Sequence, residues 1–293
     1  MKINLLQNYL HMKIFTIETG KLLLDGGPIF GVVPKTLWSK NYPADEQNRC
    51  LLSMRCLLVD DGKHKVLFDT GIGDKQDEKF FSFFPVIKDN DLILSLQKVG
   101  YKAEDITDVV LSHLHFDHCG GSVYRNERGE LKTMFPNAVF HVSSSHWESA
   151  INPNYLERAS FLTENIKPIA DAGQLNLITK DTDLFPWLHL RLFNGHTIGQ
   201  IASLIQIQNK TLVYTADVIP STLHISMSWL TAYDIQPLVV LDEKEKFLKE
   251  AFENKYFFYF EHDVFTTICD LQQTPRGIRA GTSHNLTDLF VNQ

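Results

Sequence analysis

Apolar residues in this chain fall into short runs broken by Gly, Asp and Asn, and most runs are too short to be helices. "KIFTIETG", which follows Met12, reads as a first strand, and the eleven residues before it read as an added arm or helix. After a Gly-Pro loop at 26–28 come "SMRCLLVDDG" and "HKVLFDTG", joined by an Asp-Asp-Gly-Lys turn that suits a hairpin. "NDLILSLQKVG" carries apolar residues at helical spacing and ends on Gly100, a helix-stop signal. "DITDVVLSH" then reads as a short buried strand. The rhythm repeats with the strand "NAVFHVS", two helical stretches over 144–171, and the strands "LHLRLFNGHT", "IASLIQIQ" and "TLVYTADV". The helix "DEKEKFLKEAFEN" and the strand "YFFYFEHD" close the set. Strands dominate both halves and helices are interspersed, which predicts an α/β chain of two stacked sheets flanked by helices. With no internal repeat or Pro/Ser-rich linker, residues 12–293 read as one domain and 1–11 as an N-terminal extension.

Composition narrows the function. Of 293 residues, 44% are apolar and 22% charged, as in an ordinary globular protein with ample core. Net charge is −7 and no Lys/Arg run occurs, which argues against nucleic acid or an anionic membrane as partner. No segment approaches the roughly 18 apolar residues of a membrane span. The first residues lack a sustained apolar stretch and a small-residue cleavage site, so a cytoplasmic location is expected. Cys50, Cys56, Cys119 and Cys269 form no CxxC spacing, so free thiols in a reducing compartment are expected.

The chemistry concentrates in "LSHLHFDHCGG". His113 and His115 are two residues apart, so on extended backbone both point to one side. Asp117 and His118 follow, and Gly120-Gly121 are expected to let the chain turn sharply. Neutral imidazoles and a carboxylate are the ligands that Zn²⁺ favours. The plainer alternative is a polar turn whose histidines bond to backbone. Against it stand three later strands that each end in a metal-competent residue: His196 in "NGHTIG", Asp217 in "YTADV" and His262 in "FEHD". Singly each is an ordinary turn residue. Together they complete five histidines and two aspartates.

"HLHFDH", then "GHT", "AD" and "EHD" in that order, with "LFDTGIGD" upstream, resembles the metallo-β-lactamase superfamily over nearly the whole chain. The resemblance implies an αββα sandwich (metallo-β-lactamase fold) with two mixed sheets flanked by helices and two Zn²⁺ at one edge. Carried over by position, His113, His115 and His196 would hold one metal. Asp117, His118 and His262 would hold the other, and Asp217 would bridge them. Zinc ions about 3.5–4 Å apart repel unless anions lie between them, which Asp217 and a bridging hydroxide would supply. The bridging position is Asp217, not the cysteine of the zinc β-lactamases. Asp69 in "FDTG" is a candidate to orient a ligand histidine, against the plainer reading of a turn aspartate.

The apolar segments "IFGVVPKTLW" and "KFFSFFPVI" are candidates to wall a pocket for an acyl chain, although core packing is the commoner fate of such clusters. The whole pattern resembles dizinc quorum-quenching lactonases, which implies hydrolysis of N-acyl homoserine lactones by a metal-bridging hydroxide, with Asp117 relaying the proton. His224 or Tyr233 would donate to substrate oxygen, against a structural role for each. A homodimer is implied by the resemblance and by the Phe-rich patch, which could equally sit in an interface. "ADVIPSTLHISMSWLTAYDIQP" also resembles the methyl-parathion-hydrolase-like branch, so phosphotriester hydrolysis is the second reading. A non-catalytic metal- or lactone-binding protein is the third. Glyoxalase II usually adds a basic C-terminal region not evident here, and tRNA-processing nucleases need a basic surface.

Overall fold

The computed structural model describes residues 12–290, so the expected arm at 1–11 lies outside the described residues. In chain order the strands are β1 (Lys13–Asp25), β2 (Arg49–Asp60), β3 (Lys65–Phe68), β4 (Val86–Ile87), β5 (Asp108–Val110), β6 (Val123–Arg125), β7 (Leu131–Thr133) and β8 (Val139–Ser143). They continue as β9 (Leu175–Ile178), β10 (Thr182–Phe185), β11 (Leu188–Phe193), β12 (Gln200–Ile207), β13 (Lys210–Tyr214), β14 (Phe257–Tyr259), β15 (Ile268–Thr274) and β16 (Gly277–His284). One mixed sheet has the order β4-β1-β2-β3-β5-β8-β9, a second runs β10 to β16 in sequence, and β6-β7 form a small ribbon.

Strand side chains alternate between faces, and here both faces are buried. Leu57, Val59, Val66 and Phe68 of the first sheet meet Leu190, Ile205, Leu212 and Tyr214 of the second in the core between the sheets. Their neighbours Leu58, Leu67 and Val109 face outward, against Leu96 and Ile169 of the helices Leu92–Lys98 and Thr163–Asp171. On the far side Leu204, Val213 and Phe258 pack under Phe247, Leu248 and Ala251 of helix Pro237–Glu253. This is why "CLLV" and "VLF" are continuous apolar runs. The four layers are the expected αββα sandwich. Each fully buried Leu or Phe contributes roughly 1.5–3 kcal/mol, and Phe68→Ala should cost about 3–5 kcal/mol.

The expected hairpin is present, with Leu57 opposite Phe68 and Asp60 opposite Lys65. Its turn is held by Asp61 Oδ1, which accepts the backbone N–H groups of Lys63 and His64. Several features differ from the sequence reading: the expected Gly-Pro loop opens a short helix, Gly26–Phe30, and β4, β6, β7, β9 and β10 lie outside the expected set. The first strand runs on to Asp25 across an irregularity between Glu18 and Lys21. A closing hairpin, β15-β16, follows "YFFYFEHD"; its strands mix buried and exposed positions without clean alternation. Strands β3, β5 and β8 are parallel, as are β13 and β14, while β11 and β13 both run antiparallel to β12. The loops that leave β3, β5, β11, β13 and β14 therefore carry the polar motifs toward one place. Among the described residues no helix is long and apolar enough to cross a membrane.

Candidate metal centre

The loop after β5 is gripped by the "FDTG" turn. Asp69 adopts a left-handed backbone with φ 56°, a conformation that costs energy outside glycine. Its carboxylate accepts Ser112 N–H and Ser112 O–H, both at 2.6 Å. Thr70 donates from its backbone N–H and its hydroxyl to the His118 carbonyl, at 2.8 and 3.0 Å. Gly120 and Gly121 have a different purpose from the one expected. Gly120 is right-handed, with φ −59°. A Cβ there would lie 2.1 Å from the Ile72 carbonyl oxygen, and one on Gly121 would lie 2.2 Å from that of Thr70. The glycines allow two backbones to touch rather than a sharp turn.

That grip gathers all seven side chains singled out in the sequence. Donor atoms of His113, His115, His196 and Asp217 lie within 4.8 Å of one another, as do those of Asp117, His118 and His262. Asp217 faces both groups. Its Oδ2 is 3.2 Å from His196 Nε2, 3.8 Å from His113 Nε2 and 3.5 Å from His118 Nε2, and its Oδ1 is 3.2 Å from His262 Nε2. The preceding residue, Ala216, takes φ 43° to aim it. Gln200, in the amide orientation that satisfies both bonds, accepts the N–H groups of Asp217 and Val218 at 2.8 and 3.1 Å.

The donor set fits a cation. His115 Nε2, His196 Nε2 and Asp217 Oδ1 are buried and make no well-aligned hydrogen bond, the 3.2 Å contacts with Asp217 notwithstanding, which a packed interior rarely tolerates. Burial, helped by adjacent imidazoles, holds His113 and His115 well below the usual histidine range. At His196 burial opposes protonation, but Asp217 and Asp234 outweigh it and lift the pKa to about 10. His262 behaves alike, raised to about 9 by Asp217 against burial. These buried carboxylates demand positive charge among the rings. A bound cation meets that demand and leaves the ring nitrogens free as ligands.

Supporting groups lie just behind; the sequence reading offered Asp69 among them and missed Asp234, Glu261, Tyr214 and Glu157. Asp234 Oδ1 is 2.8 Å from His196 Nδ1. His118 Nδ1 is 2.9 Å from Glu261 Oε2 and 3.1 Å from Asp69 Oδ2, so two carboxylates orient one imidazole. Burial, with Asp69 adding to it, pushes Glu261 above the usual carboxylate range, while His118 opposes. Tyr214 donates to Glu261 at 2.7 Å. Glu157 is buried with a free Oε1 4.0 Å from His115 Nε2. "TAYD" and "EHD" placed Asp234 and Glu261 near the motifs, but an acid beside a candidate residue carries no distance information.

The metal-competent cluster floors a cavity of about 230 Å³, walled by Leu24, Phe30, Leu52, Phe84 and Leu156, with Tyr233 at its side and no Lys or Arg among its lining residues. Both apolar segments contribute: Phe84 packs on Phe116 at 4.6 Å, and Phe30 stacks on Trp38 at 4.9 Å. Burial, then Asp117, Asp25 and Asp217, raise the Tyr233 pKa and keep its phenol protonated. His224 also lines the cavity, but its ring is already committed. Nε2 donates to the Ile29 carbonyl at 2.9 Å, and Nδ1 accepts from Ser221 Oγ at 2.7 Å. An imidazole with its one N–H in use has none left for substrate, which corrects the expectation for His224. Cys119 is turned to the Leu114 carbonyl, and all four cysteines are free.

Fold and donor set define the class: the chain belongs to the metallo-β-lactamase superfamily, whose profile matches residues 55–252. More particularly, it is 26% identical over 211 residues to an N-acyl homoserine lactonase of Bacillus cereus, covering 69% of this chain and 73% of that one. A probable metal-dependent hydrolase from Staphylococcus aureus superposes with a TM-score of 0.85 at 29% identity, over 93% of this chain and 96% of its own. AidC, a dizinc quorum-quenching lactonase in complex with a product N-hexanoyl-L-homoserine, superposes at 0.77 with 24% identity, over 94% and 95%. At that identity the likeness to AidC speaks to fold alone.

Proposed function

We propose that this chain is a dizinc hydrolase that opens the lactone ring of N-acyl homoserine lactones. The observation that carries the proposal is the two-group donor cluster, with Asp217 facing both groups, at the floor of an apolar cavity free of Lys and Arg. His113, His115 and His196 would hold one Zn²⁺, Asp117, His118 and His262 the other, and Asp217 both. Two such ions supply Lewis acidity and a water that is nucleophilic at neutral pH. The relative from Bacillus cereus, by its name, supports the substrate class.

The chain's own residues do the rest. Tyr233 donates its phenolic proton in a hydrogen bond to the lactone carbonyl oxygen, where charge develops. Asp117 lines the cavity beside His115 and receives the proton of the attacking water at its carboxylate, then returns it to the departing ring oxygen. Leu24, Phe30, Leu52 and Phe84 exclude water and take the acyl chain. His224 holds the wall.

Walls without Lys or Arg also favour a neutral phosphotriester over anionic phosphates. Parallel kcat/KM values on N-hexanoyl homoserine lactone and paraoxon rank the two readings, and a much higher value for paraoxon would reverse the order. A purely metal- or lactone-binding role is separated by His196→Ala, which under the catalytic reading removes metal and turnover together. Retained turnover after that change would refute the assignment.

A further inference from the structure

Lys244 is a buried cation that the proposed reaction does not use. It sits on helix Pro237–Glu253 and is only 2% exposed. Its Nζ donates to three backbone carbonyls: His224 at 3.0 Å, Ser226 at 3.0 Å and Trp229 at 2.9 Å. No ion pair to it occurs among the described residues, although Asp234 lies near enough to act through space. Burial, with Arg279 adding and Asp234 opposing, pushes it down to about 8, and three carbonyl acceptors at one nitrogen call for the three N–H donors of an ammonium. A charge without a paired anion inside a protein is costly unless dipoles surround it, and these three carbonyls are such dipoles.

The carbonyls belong to a loop whose rings frame one cavity residue. His224 stacks flat on Phe30, with ring centres 5.5 Å apart and planes 9° apart. Trp229 meets the same ring edge-on at 5.8 Å and 81°. His224 is also tied to the Ile29 carbonyl, and the chain at Gly31 passes so close to Leu230 that a Cβ would lie 2.7 Å from its carbonyl oxygen. An ammonium presents three donors from a single atom, so one side chain clamps both rings that flank Phe30.

We propose that Lys244 is a positioning residue for the cavity wall, fixing Phe30 through His224 and Trp229 and thereby setting selectivity for the apolar part of the substrate. In its substrate the proposal rests on the acyl-lactone reading above. A merely structural lysine would lower the thermal midpoint and leave substrate preference alone.

The test compares N-decanoyl with N-butanoyl homoserine lactone on metal-loaded wild type, Lys244→Met, Phe30→Ala and the double variant. Lys244→Met should reduce the decanoyl preference in kcat/KM roughly tenfold, through KM rather than kcat. The double variant should lose no more than the larger single loss, because both changes remove one wall. An unchanged preference at full metal content, or losses that multiply, would overturn the proposal. Should Lys244→Met not fold, Lys244→Gln keeps some of the donors and should show an intermediate loss. If wild type turns over no lactone, the functional reading fails by itself. Lys244 is then judged by amide hydrogen exchange, where faster exchange in the variant over both 224–230 and the Phe30 segment upholds the clamp, and a change confined to 224–230 or no change overturns it.

Discussion

Replacing Asp234 by Asn tests whether the metal centre depends on the groups behind it. The side chain is 4% exposed and serves two donors: Oδ1 faces His196 Nδ1 at 2.8 Å, and Oδ2 accepts Thr231 N–H at 2.9 Å. An amide has one oxygen and one NH2, so after Asp234→Asn either His196 Nδ1–H or Thr231 N–H must face another donor. Leaving one buried donor unmet costs about 1–3 kcal/mol. With each 1.4 kcal/mol worth roughly tenfold, metal affinity at the site that includes His196 should fall about 10–100-fold. On the proposed two-zinc reading, stepwise zinc competition against a chromophoric chelator separates the two sites, and the one without His196 should weaken far less. Denaturation of the metal-free proteins shows whether the fold survives. Two zinc constants within about twofold of wild type would refute the orienting role of Asp234.

Tyr233→Phe should lower kcat/KM on acyl lactones roughly 10–100-fold at unchanged zinc content, the loss of one charge-stabilising donor, and a normal rate would remove Tyr233 from the mechanism. Gly120→Ala should destabilise by about 2–3 kcal/mol or more, since its Cβ would meet backbone at 2.1 Å; an unchanged urea midpoint would contradict that packing. Burial holds His224 down at about 4, against 6.5 for an ordinary histidine. Its contribution to stability is therefore full above pH 6.5 and is lost as pH falls from 6.5 through 4. Glu261, held above the usual carboxylate range, acts in the opposite sense, so the difference between wild type and His224→Gln is the quantity to measure. It should amount to on the order of 3 kcal/mol, and parallel stability curves for the two proteins would refute it.

The order of strands and helices was legible because both faces of the central strands are buried and leave continuous apolar runs. The β15-β16 hairpin was not, because its strands show no clean alternation between buried and exposed positions. The gathering of the seven candidate side chains was legible because His and Asp at strand ends form a dense pattern. Glu157, Asp234 and Glu261 were not, because a lone acid in a loop looks the same whether it faces solvent or a histidine. His224 has the residue type of a donor to substrate as much as of a structural histidine, and type alone does not reveal that both its nitrogens are bonded.

By itself the sequence determined which residue types stand at the ends of which strands, since periodicity and spacing are local properties of the chain. Only the tertiary structure decided that Asp217 faces both histidine groups, that His224 is already bonded at both nitrogens, and that Gly120 and Gly121 serve close approach. Those facts depend on distances between segments far apart in sequence, and packing alone sets them.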